Sequence, residues 1–155
     1  LGLPDLESRP PLIIENKGTG QVLETSNPDG TGLLVLGTKV GRKKPSQCWY
    51  VDREEKGTVI RNAVSGLAVG VMFMSAEPGA VARVSVCERG KQAHPDNLFK
   101  LTDAGRAVVL TYRNADLAFQ PVEVKVKAVN VWQIAQEKKA SPPAANQLWL
   151  VTEAK

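Results

Sequence analysis

The chain has 155 residues, 43% of them hydrophobic and 23% charged, with a formal net charge of +4. That apolar share is enough to build a core, which excludes a disordered chain, and the length suits a single domain. The longest apolar runs, 32–37 and 107–110, are far too short for a helical membrane span, so no membrane insertion is expected.

Residues 1–11 carry three prolines and little periodicity, and read as an N-terminal arm. Short β-type runs then follow in regular order, with no sustained helical period. In a first unit, about 12–56, strands are expected at 12–16, 21–25, 33–38 and 47–52, with turns at 17–20 and at Asn27-Pro28-Asp29-Gly30. In a second, about 57–105, they are expected at 58–62, 67–73, 81–87 and 97–102. In a third, about 106–155, they fall at 107–112, 117–122, 129–134 and 147–152.

Internal anchors repeat with these units. Gln47-Cys48-Trp49, Asn97-Leu98-Phe99 and Gln147-Leu148-Trp149 place their aromatics 50 residues apart, and an aliphatic residue follows each by two: Val51, Leu101 and Val151. Ile14, Ile60 and Leu110 open the units; Gly20, Gly66 and Asp116 lie six positions on, and Leu23, Val69 and Phe119 nine. A period in this range marks a repeated supersecondary unit. One four-strand unit cannot bury its own apolar face, whereas three can close a small barrel and leave few open edges. The expected fold is all-β, a β-trefoil with pseudo-threefold symmetry in which Trp49, Phe99 and Trp149 are core residues. A linear solenoid is the alternative, disfavoured because the three units are equal and none is a distinct cap.

The Gln-x-Trp pattern at these spacings resembles the repeat of the ricin B-type lectins, over nearly the whole chain after the arm. The resemblance implies carbohydrate binding. An acid after the second strand and an Asn before Gln-x-Trp would bind sugar hydroxyls, and an aromatic at the end of the third strand would stack on the ring. A pyranose has one apolar face and a rim of hydroxyls, so it needs one flat surface and a few fixed polar groups. Carried over by position, the acid falls on Glu24, Gly70 and Gln120. The stacking residue falls near Gly37 or Thr38, near Cys87, and on Trp132. The Asn falls on Ser46, Asp96 and Asn146. Only the third unit keeps most of the set, so the resemblance implies a glycan site made by Gln120, Trp132, Asn146 and Gln147.

Trefoils also host protease inhibitors and protein-interaction domains, which are the rival readings. An inhibitor would use an exposed loop: 52–57 with Arg53 as the anchor, 40–45 with Lys43 and Lys44, or 61–65 with Asn62. The basic residues are scattered apart from Arg42-Lys43-Lys44, and few aromatics accompany them, so nucleic acid is not an expected partner. Cys48 and Cys87 lack metal-ligand spacing and read as free thiols. His94, the one histidine, has no nucleophile motif near it, and no phosphate loop or catalytic carboxylate pair is present, so neither an enzyme nor a cofactor is expected. The thiols, with no leader and no Asn-x-Ser/Thr sequon, lean towards a cytoplasmic protein. With one site per chain, agglutination would need a homodimer.

Overall fold

The structure is a computed structural model that describes residues 9–85 and 97–155. Twelve strands are present: β1 (Leu12–Asn16), β2 (Val22–Thr25), β3 (Leu34–Gly37), β4 (Trp49–Glu54), β5 (Gly57–Asn62), β6 (Ala68–Val71), β7 (Ala82–Ser85), β8 (Lys100–Ala104), β9 (Ala107–Thr111), β10 (Leu117–Val126), β11 (Val129–Lys138) and β12 (Trp149–Glu153).

Their pairing closes on itself. Adjacent units join through β4–β5 and β8–β9, and the last joins the first through β12–β1, with Leu12 opposite Glu153 and Asn16 opposite Trp149. Within each unit the first strand meets the fourth at an equivalent point: Leu12 with Trp49, Thr58 with Phe99, and Val108 with Trp149. These six strands form the barrel. The hairpins β2–β3, β6–β7 and β10–β11 form a second ring, linked by Leu33 with Arg83, Val81 with Ala135, and Gln133 with Val35. Each link joins the same two repeat positions of successive units. The fold is a β-trefoil, and the β12–β1 pairing rules out a solenoid.

The core explains the spacing of the anchors. Ile14, Ile60, Leu110, Leu23, Val69, Phe119 and the three motif aromatics share one buried cluster. Trp49 and Trp149 are fully buried, and each indole N–H donates to the carbonyl of the second-strand anchor in its own unit, Leu23 at 2.9 Å and Phe119 at 3.1 Å. Phe99 has no such donor. There the Asn97 side chain donates to the equivalent carbonyl, that of Val69, at 3.3 Å. The carbonyl is thus satisfied in all three units, by an indole N–H in two and an amide N–H in the third, as a buried acceptor requires.

Several elements differ from the sequence expectation. Gln47 and Gln147 lie in short 3₁₀ turns, Pro45–Gln47 and Ala145–Gln147, and the fourth strand begins only at the tryptophan. The second strand of the middle unit stops at Val71. Phe73, expected inside it, sits in a turn at φ 58° and is 86% exposed. The third hairpin has ten paired positions where the other two have four, so it runs well past the hairpin ring. Of the expected strand at 81–87, residues 86 and 87 lie outside the described residues, as does His94.

Candidate carbohydrate-binding site

The 3₁₀ turn places each motif glutamine under the loop that joins the third and fourth strands. Gln47 Oε1 accepts from the Val40 backbone N–H at 3.0 Å, and its Nε2 donates to the Thr38 carbonyl at 2.7 Å. Gln147 repeats this one hundred residues on, with Ala140 N–H at 3.0 Å and the Lys138 carbonyl at 2.8 Å. Both glutamines are buried, so each is a latch that fixes its loop.

Gln120, on β10, comes directly against this latch. Its Oε1 accepts a second hydrogen bond from Gln147 Nε2 at 2.8 Å. Gln120 and Asn146, which precedes Gln147 in the chain, are each half-buried. The Asn146 backbone is gripped from the first unit, where Asn16 donates to its carbonyl at 2.8 Å. Of the four residues picked from the sequence, the fold brings Gln120 and Gln147 into contact, with Asn146 adjacent to Gln147 in the chain.

Trp132 is not with them. Gln120 pairs with Ala135 and Trp132 pairs with Glu123, three positions further along the same ribbon. Side chains alternate between the faces of a strand, so an odd offset puts Trp132 on the face opposite Gln120. The register also moves the stacking position. Leu23 faces Leu36 as Phe119 faces Gln136, so the third-unit counterpart of Gly37 is Glu137, not Trp132. Spacing alone hid this, because the long third hairpin carries its Trp beyond the ring. Trp132 is nevertheless 39% exposed, unlike the two fully buried tryptophans.

The first unit has an acid at the corresponding place, but it is occupied. Glu24 is buried, and its carboxylate occupies the space that the missing side chain of Gly37 leaves open; Lys44 Nζ lies 2.9 Å from its Oε2. In the second unit Gly70 offers no side chain, and Cys87 and Asp96 lie outside the described residues.

Two of the three inhibitor anchors do not sit on an extended exposed loop. Asn62 is fully buried: its Nδ2 donates to the Ser46 carbonyl at 3.2 Å and its Oδ1 accepts from Val64 N–H at 2.9 Å. A side chain so bound cannot enter a protease cleft. Arg53 is exposed, yet it lies in β4 opposite Thr58, in a hairpin whose last pair is Glu54–Gly57. The expected loop at 52–57 is a tight β-turn with no extended segment to present. In the loop at 40–45, Lys44 lies against Glu24 while Lys43 is exposed.

Cys48 is buried and unpaired by disulfide. Burial pushes its thiol above the usual cysteine value, against a smaller opposing effect from the Arg42 charge. No group of three or more His, Cys, Asp or Glu among the described residues could hold a metal.

Comparison with solved structures agrees with the fold. The chain superimposes on ThreeFoil, a designed threefold-symmetric protein, with TM-score 0.72 and 16% identity over 92% of this chain and 98% of that one. It matches the ricin B-like lectin of Macrolepiota procera, solved in complex with lactose, with TM-score 0.70 and 12% identity over 92% and 94% of the two chains. It also matches part of an exo-β-1,3-galactanase of Clostridium thermocellum, with TM-score 0.73 and 24% identity, covering 97% of this chain but 31% of the enzyme. No protein-family profile and no curated protein sequence matches the chain. At these identities the likeness is one of fold.

Proposed function

We propose that this protein is a glycan-binding β-trefoil, a lectin of the ricin B type, and that it binds through its third repeat. The observation that carries the reading is the exposure of Trp132: two of the three tryptophans are fully buried, and this one offers an aromatic face to solvent. Such a face suits the apolar side of a sugar ring. Gln120 and Asn146 supply the polar rim, with Gln147 holding Gln120 from below.

The aromatic and polar patches lie on opposite faces of the β10–β11 ribbon, so Trp132 and the polar residues are two contact points rather than one ring-sized site. A glycan array probed with the wild type and with Trp132→Ala tests the reading. Binding by the wild type and loss in the variant, at unchanged melting temperature, is the expected result. A variant that binds as the wild type does removes the site, and a wild type that binds no glycan removes the function.

A further inference from the structure

Among the described residues, the third hairpin leaves an outer edge that no strand pairs. Strand β10 ends the sheet path and, among the described residues, pairs with β11 alone. Beyond the ring link at Gln133, four pairs project: Glu123–Trp132, Val124–Val131, Lys125–Asn130 and Val126–Val129. The loop that closes them has two residues, Lys127 and Ala128, at φ 48° and 64°, as a type I′ turn requires.

The turn fixes which way the backbone points. In a two-residue hairpin the closing pair, here Val126 and Val129, directs its N–H and C=O groups inward, and the direction then alternates along the strand. The groups of Val124 and Val122 thus face β11. Those of Lys125 and Glu123 face outward, without a strand partner among the described residues. The next outward position is Pro121, which has no N–H to offer. The free edge is therefore a short segment with one residue of each charge.

An antiparallel copy of the same segment is its complement. Centred on Val124, the pairing sets Glu123 against the second copy's Lys125 and Lys125 against the second copy's Glu123. These are the outward-facing positions, so both pairs exchange backbone hydrogen bonds as well as opposite charges. Val124 then faces its own copy, and Val122 and Val124, both half-buried, extend one apolar surface across both ribbons. A twofold pairing of this kind is self-complementary and closed.

We infer that the β10 edge is a homodimer interface in which Glu123 and Lys125 pair reciprocally across a twofold axis. The inference is independent of the glycan reading, although a dimer would make a lectin with one site per chain bivalent.

Sedimentation equilibrium without sugar tests it, on the wild type, Glu123→Lys, Lys125→Glu and the double exchange. The wild type is expected to show a monomer–dimer equilibrium. Each single change sets like charges together twice per dimer and should raise the dissociation constant by about tenfold or more. The double exchange restores opposite charges and should return it to within about threefold of wild type. Both positions lie on an exposed strand face, so far-UV circular dichroism should stay unchanged and report intact folding. A monomeric wild type, a dimer indifferent to the single changes, or a double exchange that fails to restore it would overturn the inference.

Discussion

Asn16 donates a 2.8 Å hydrogen bond from Nδ2 to the backbone carbonyl of Asn146, 130 residues further along the chain. Asn62 makes the same bond to Ser46, one unit over. In both cases the side-chain oxygen accepts backbone N–H groups of its own turn: Gly18 and Thr19 for Asn16, and Val64 and Ser65 for Asn62. One residue type therefore shapes the turn after a first strand and ties it to the motif turn of the preceding unit. The corresponding residue of the third unit is Tyr112.

The first prediction follows from that double role. Asn62→Ala leaves the Ser46 carbonyl and two turn N–H groups without their partner. At roughly 1 kcal/mol net per bond, and more for a stranded buried group, the loss should be about 2–4 kcal/mol. Urea unfolding measures it, and a change below about 1 kcal/mol would contradict the clip.

The two tryptophan environments give the second. Trp149→Ala empties a fully buried site and strands the Phe119 carbonyl, so it should cost about 3–5 kcal/mol. Trp132→Ala should cost under about 1 kcal/mol, as surface changes do, while removing glycan binding. Melting curves and a glycan array on both variants separate fold from function. Equal destabilisation would mean that Trp132 is a packing residue.

Gly18 supplies the third. A Cβ there would stand 2.8 Å from the backbone nitrogen of Asn146, closer than a carbon can approach without movement. Because the obstacle is backbone, it cannot rotate away, and the Asn16–Asn146 clip must open. Gly18→Ala should destabilise by about 1–3 kcal/mol, even though alanine usually stabilises a turn that it fits. Thermal unfolding that shows no loss would mean that the two turns are less tightly apposed.

Cys48 gives a pH dependence. Its thiol holds its proton more tightly when folded than the ordinary value of 9.0. Below that value both states keep the proton, and the stability contribution is complete. As pH rises through it the unfolded chain ionises first, so stability declines until the folded thiol also ionises. In a Cys87→Ala background, stability to urea should fall as pH rises through 9.0 more than in the same background with Cys48→Ala. Alkylation of native Cys48 should also be slower than that of a free thiol, because the thiolate is the nucleophile. Equal pH profiles would place Cys48 in contact with solvent.

Much of this protein could be read from the order of its residues. The 50-residue interval between Trp49, Phe99 and Trp149, with the aliphatic anchors around it, was enough to expect a trefoil. Periodicity records which positions are buried, and burial is what closure of three equal units demands. The site was legible only in part. Gln120 and Gln147, which the resemblance assigns to one site, do touch, because both sit at fixed distances from the same repeat anchors. Asn62 was misread, since a polar residue between turn signals looks exposed unless one knows which carbonyl lies above it. The resemblance points to Trp132 as the stacking residue, but which face it takes follows only from strand register.

The sequence by itself determined the number of units, their core residues and the local turns, because each depends on residue type at a repeating position. Tertiary structure alone decided which turn grips which carbonyl, where the third hairpin outgrows its siblings, and which of its two faces carries Trp132. Those outcomes depend on contacts between segments far apart in the chain. No local pattern encodes such a contact, since the partner group is usually a backbone carbonyl that every residue possesses.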